Sequence, residues 1–209
     1  MSVLFKLAAA AAVATSGIAL YDAAHHGLTG RYSEFSEEST IPALILVSET
    51  IHGLTYAVLA AVLVIWAKSA LVSRLQRLMA RLLAVNLGVF AVFSLVVDPI
   101  AAETGGSSAA VENVTSTIGG GLFLLMFLLA FALGLTLLRT PDRRLSAVLL
   151  VAIAPVVLLT VVAAILGSGF AHPAYAETLV HVGVALLALP ATVAHRNRSQ
   201  AAPSTTATA

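Results

Sequence analysis

Six long apolar runs divide this 209-residue chain, at 3–22, 42–66, 78–97, 117–138, 146–167 and 177–194, and the charged residues are sorted between them. Each run is close to the ~20 residues that an α-helix needs to cross ~30 Å of hydrocarbon. Lipid offers the backbone no hydrogen-bond partner, so such runs fold as helices packed side by side. Basic residues attend alternate ends only. Lys6 opens the first run, Lys68, Arg74, Arg77 and Arg81 mark the second-to-third junction, Arg139, Arg143 and Arg144 the fourth-to-fifth, and Arg196 and Arg198 follow the sixth. The positive-inside rule makes those ends cytoplasmic and places both termini inside. Toward the opposite face lie nine of the ten acids, Asp22, Glu34, Glu37, Glu38, Glu49, Asp98, Glu103, Glu112 and Glu177, with Arg31 the one base. The rule counts Lys and Arg, not acids, so the acidity of the outer face needs a cause of its own.

The expected fold is therefore all-α: a polytopic six-transmembrane-helix bundle over 1–198 in the inner (cytoplasmic) membrane, followed by a disordered cytoplasmic tail of Ala, Ser, Thr and Pro at 199–209. With 59% hydrophobic and 10% charged residues and a mean hydropathy of +0.99, the chain lacks the polar surface of a soluble domain. Short juxtamembrane basic clusters in place of a continuous stripe argue against nucleic acid as a partner. Zero cysteines exclude disulfides, thiolate metal sites and thiol catalysis. The first run, with Lys6 ahead of an Ala-rich stretch, also fits a cleaved signal peptide, which would remove one span and leave the others in place.

Helix punctuation refines the map. Pro42 suits a first helical turn, with Ser39 or Thr40 as its cap, and Pro99 ends the third span. Pro155 and Pro190 fall inside spans five and six, where each should kink its helix. Gly119 to Gly121, beside Thr115, Ser116 and Thr117, reads as a small-residue packing surface. Asn86 calls for an interhelical partner, and Trp66 for an interfacial position. Small-residue faces leave a homo-oligomer open.

Chemistry concentrates at the outer end. Glu49 and His52 are three apart, Glu177 and His181 four apart, and Asp22 precedes His25 by three and His26 by four, so each set shares a helix face. Ionisable groups inside a span are costly and normally face the bundle interior, which makes them candidate ligand or metal residues. One reading is an outer-leaflet cavity between spans two and six that holds a small ligand, a lipid or a metal through Glu49, His52, Glu177 and His181. Another is a membrane-embedded enzyme or redox protein in which Glu49, His52, Glu177 and His181 ligate a divalent metal, or His52 and His181 a haem. Nothing matches the His-Glu-x-x-His spacing of a zinc hydrolase, and the two histidines differ in depth by roughly 8–9 Å along the helix axes. A proton-linked transporter would use the same groups as a relay, but spans four and five carry no charge in their middles. The same groups equally serve as interhelical hydrogen bonds that lock packing, and His25, His26 and His172 as solvated loop residues.

Ser33-Glu34-Phe35 in the first outer loop, Asp98-Pro99 closing span three and His172-Pro173 before span six, on a six-span frame with both ends inside, resemble the bacterial membrane family called domain of unknown function 998. This chain has Ser116, Thr117 and Ile118 where the family carries a histidine. The resemblance implies the six-helix fold and a shared position at Asp98, and it implies no activity. The expectation is thus a non-enzymatic membrane protein with an acidic, histidine-bearing outer face.

Overall fold

A computed structural model describes residues 3–36, 39–69, 72–97 and 109–189, with side chains from 117 onward in the last of these segments. Helix α1 spans Val3–Thr29, α2 Pro42–Ala67 and α3 Arg74–Val92, the last continuing as a π-helical turn at Phe93–Val97. Helix α4 follows at Ala109–Leu137, a 3-10 turn at Pro141–Arg143, α5 at Arg144–Val151, α6 at Ile153–Ile165, α7 at Ala174–Ala185 and a 3-10 turn at Leu186–Ala188. Among the described residues there is no strand. Five helical stretches, Val3–Thr29, Pro42–Ala67, Arg74–Val97, Thr117–Leu137 and Pro141–Ile165, are long and apolar enough to cross a membrane. Ala174–Ala188 is apolar but shorter. The chain is an all-α helical membrane protein.

Local chemistry sets helix ends that hydropathy alone misplaces. Helix α1 runs past residue 22 to Thr29, where Gly30 adopts φ 70° and returns its N–H to the His26 carbonyl at 2.9 Å. Helix α3 begins ahead of its apolar run because Ser73 and Gln76 form a capping box, the Ser73 hydroxyl accepting from the Gln76 N–H at 3.2 Å and Gln76 Oε1 from the Ser73 N–H at 3.0 Å. Pro42 does occupy the first turn of α2, but Ile41 is the cap residue and no side chain caps that end. Ser39 instead accepts from the Ile41 N–H at 3.2 Å. Pro155 lacks an N–H for the Val151 carbonyl, and the fifth span breaks there into α5 and α6 around Ala152. Pro190 and the 199–209 tail lie outside the described residues, as do Glu37, Glu38, Asp98 and Pro99.

The helices close into a ring in which α1 packs on α2 and α7, α2 on α3, α3 on α4, α4 on α5, and α5 on α7. Leu59, Leu63, Leu83, Leu87, Met126, Leu133, Leu137 and Leu150 fill its centre. Helix α1 approaches with Ala8 and Ala12, and the Thr15 and Thr55 hydroxyls meet at 2.6 Å between α1 and α2. Asn86 donates to the Leu122 carbonyl at 3.1 Å, joining α3 to α4. Trp66, in the last turn of α2, is buried against this core. Outward-facing positions such as Val13, Leu54, Val85, Leu128 and Leu158 are apolar and exposed, the reverse of a water-soluble surface. The fifth span is peripheral, with 11% of its apolar window buried against 28% to 44% for the other four.

Candidate functional site

At the end of the bundle where α1 finishes and α2 begins, the helices splay around a cleft of about 730 Å³. Its walls come from α1, the 32–36 loop, α2, α3 with its π-helical turn, α4, the α6–α7 loop and the first turn of α7. The polar lining includes Asp22, Ser48, Glu49, His52, Tyr56, Ser94, His172 and Glu177. The cleft is therefore wider than a gap between the second and sixth spans.

Helix α2 supplies one polar stripe. Glu49, His52 and Tyr56 recur at intervals of three and four, which stacks them on one face. The His52 Nδ1–H donates to the Ser48 carbonyl at 2.8 Å, which leaves Nε2 as the acceptor of the ring. The Tyr56 hydroxyl donates to Glu177 Oε1 at 2.5 Å across the bundle. Beneath Glu177, one turn further into α7, His181 is fully buried with Nε2 3.6 Å from the same Oε1. Among the described residues neither ring nitrogen of His181 has a hydrogen bond. Its ring stands edge-on to Tyr56, with centroids 5.6 Å apart, and the Tyr56 and His52 rings lie 6.3 Å apart. Glu177, Tyr56 and His181 thus form one buried unit, with His52 at its margin.

Asp22 anchors a second unit. Its Oδ1 accepts from the Ser33 N–H at 2.7 Å, and Oδ2 lies 3.5 Å from His172 Nε2. The His172 Nδ1 accepts from the Ala174 N–H at 3.2 Å, so the ring proton sits on Nε2 and faces the carboxylate. The loop bearing His172 is seated on α1 by close backbone approach, because a Cβ at Gly27 would overlap the Phe170 ring. His26 reinforces the seating by donating from Nδ1 to the Gly169 carbonyl at 2.8 Å and stacking on Tyr32 at 4.6 Å. Burial pushes the His172 imidazole below its usual value, offset in part by Asp22, with His26 lowering it further and Glu177 raising it. The unfolded chain therefore takes up this proton more readily than the folded one, and stability falls as pH drops below about 6.5. Thermal unfolding in detergent is expected to show a midpoint that declines between about pH 7 and pH 5, less steeply for His172→Gln. An equal slope in that variant would assign the decline elsewhere.

Glu177 and His181 meet in α7 and Glu49 and His52 both line the cleft, as helix spacing predicts, but the pairing expected at Asp22 does not form. His25 is not part of the cleft lining and donates from Nδ1 to the Arg31 carbonyl at 2.9 Å. Asp22 selects Ser33 and His172 in its place. Asp98 lies outside the described residues. Tyr56 and His172 join the cleft lining in addition to the residues expected from sequence. Tyr56 was legible at four residues beyond His52, whereas the contact between His172 and Asp22 spans 150 positions without a local signal. Gly119 and Gly120, read as a packing surface, line the cleft, and a Cβ at either meets no heavy atom within 4 Å. Among the described residues, no group of three or more His, Asp and Glu side chains is arranged to hold a metal ion.

The π-helical turn at Phe93–Val97 widens α3 by one residue per turn where it borders the cleft, and Phe93 and Ser94 both join the lining. Comparison with known proteins returns no matching family model, no matching curated protein and no matching solved structure.

Proposed function

We propose that this chain is a six-span protein of the cytoplasmic membrane, with both termini inside, that binds a small ligand or lipid in an outer-leaflet cleft without catalysing a reaction on it. The observation that carries the reading is the cleft of about 730 Å³, which gathers Asp22, Glu49, His52, Tyr56, His172 and Glu177 between apolar walls. Small-molecule sites have this character: a volume of ~300–1,000 Å³, a largely apolar lining and a few convergent polar groups. Orientation follows from the alternation of Lys and Arg, which places the cleft on the face with a single base, Arg31. The sixth span rests on the apolar run 177–194, of which the described residues hold α7 and the 3-10 turn at Leu186–Ala188. Kinship with the domain of unknown function 998 family belongs to the same proposal. Two of its segments meet at one carboxylate here, Ser33 through its N–H and His172 through its ring on Asp22.

Two measurements test this. A reporter fused after Arg198 is expected to be cytoplasmic, and a periplasmic reporter would overturn the span count or the orientation. Protein extracted with its native lipids is expected to hold a bound molecule detectable by native mass spectrometry. His52→Ala and Glu177→Gln should lower its occupancy several-fold while elemental analysis and the visible spectrum stay unchanged. Loss of a stoichiometric metal or of a Soret band in those variants would replace ligand binding with the redox or metalloenzyme reading.

A further inference from the structure

We propose that the group recognised in the cleft is an organic ammonium, an inference that rests on the ligand-binding reading above. Two carboxylates set the charge. Asp22 and Glu177 both line the cleft, and the ionisable groups set against them are the histidines His172 and His181. Glu49 adds a third carboxylate to the lining, and among the described lining residues there is no Lys or Arg. A cavity of this sign, walled by low-dielectric side chains, favours a cation and rejects phosphate or carboxylate ligands.

The walls determine which cation. Tyr32, Phe35, Tyr56, Phe90, Phe93 and Phe123 all line the cleft, drawn from the first loop and three different helices. Phe90 lies 5.2 Å from Tyr56 and 6.2 Å from Phe123, so these rings form a continuous aromatic surface. Aromatic faces attract ammonium groups through the ring quadrupole, and alkylated ammonium additionally gains from apolar contact. A bare divalent ion gains little from rings and needs a shell of oxygen or nitrogen ligands, which the described residues do not assemble. The volume also exceeds that of any single ion and accommodates an ammonium with the organic body attached to it. The glycines Gly119 and Gly120 keep the α4 wall open to admit that body.

Two sources carry this chemistry at a membrane surface, an aminolipid headgroup and a free amine in solution. One arm of the test reconstitutes the full chain in nanodiscs of equal phosphatidylethanolamine and phosphatidylglycerol and reads retained lipid by native mass spectrometry. The other measures the thermal shift of the detergent-solubilised protein with choline chloride against sodium chloride at equal ionic strength. Wild type is expected to prefer phosphatidylethanolamine over phosphatidylglycerol about tenfold, or to be stabilised by choline but not by sodium. Asp22→Asn and Glu177→Gln keep hydrogen-bond acceptors in place and should bring either preference close to parity. Gly120→Leu, which adds bulk at a cleft-lining position where a Cβ meets no heavy atom within 4 Å, should abolish retention of both lipids and the response to choline. A response in the lipid arm alone assigns the headgroup, and a response in the choline arm alone assigns the free amine. Preference for phosphatidylglycerol, or no discrimination in either arm, overturns the ammonium assignment; the cleft reading survives that result if Gly120→Leu still strips bound molecules. If Gly120→Leu leaves retention unchanged, the cleft itself is not the binding site.

Discussion

Gly134→Leu is expected to be the most damaging single substitution in the bundle core, lowering stability by about 3 kcal/mol, toward the upper part of the range for overpacked interiors. A Cβ at this position of α4 would lie 2.7 Å from the Leu150 Cβ and 3.0 Å from the Val151 backbone nitrogen. Neither atom is the free end of a flexible side chain, so the α4–α5 contact must open as a whole. Leu150 has no slack, since it is fully buried and its side chain is also the atom group that a Cβ at Gly183 of α7 would strike. Displacing it disturbs three helices together. Thermal unfolding in detergent, with Gly119→Ala as the control at a site where a Cβ meets nothing within 4 Å, reads the effect. The control should stay within about 1 kcal/mol of wild type, on the side that helix propensity favours. Comparable losses in both variants would mean that the effect is not the close approach.

Glu177→Ala is expected to produce the second largest loss, about 2–3 kcal/mol, because it takes the hydrogen-bond acceptor from Tyr56 and the neighbouring carboxylate from buried His181. The Tyr56 hydroxyl loses its acceptor at 2.5 Å, and the fully buried His181 loses the carboxylate oxygen 3.6 Å from its Nε2. Tyr56→Phe should cost less, about 1 kcal/mol, since Glu177 borders the cleft and water there can replace the hydroxyl. A double-mutant cycle between the two positions measures their coupling. Near-additive losses would show that Tyr56 and Glu177 act independently and that the buried unit is a geometric coincidence.

The legible and illegible parts of the sequence divide along physical lines. Hydropathy and charge sorting carry the all-α class and the long apolar helices, because lipid leaves a backbone few alternatives. Helix spacing carries pairs within one element, as with Glu177 and His181 in α7 or Glu49, His52 and Tyr56 in α2. Spacing fails at Asp22 because an i, i+3 relation brings Cβ atoms near each other without deciding which neighbour is buried. The folded loops decide that: Ser33 and His172 arrive from opposite directions along the chain, and His25 is left to the Arg31 carbonyl. The cleft itself is illegible for the same reason. It is a gap among five helices, set by where α1 overruns its apolar stretch, by the π-helical turn of α3 and by glycines that could as well have been packing sites.

The peripheral position of the fifth span bears on which substitutions this chain can accept. Helix α6 contributes Ile153 to the buried interior, while Leu158, Leu159, Val161, Val162 and Ile165 face outward. Lipid tails conform to any apolar outline, so those five positions answer to hydropathy and not to shape. Leucine, isoleucine, valine and phenylalanine are interchangeable there, and sequence can drift freely so long as it stays oily. At Leu150, eight residues earlier than Leu158 in the same span, the opposite holds: three helices fit one particular side chain, and drift stops.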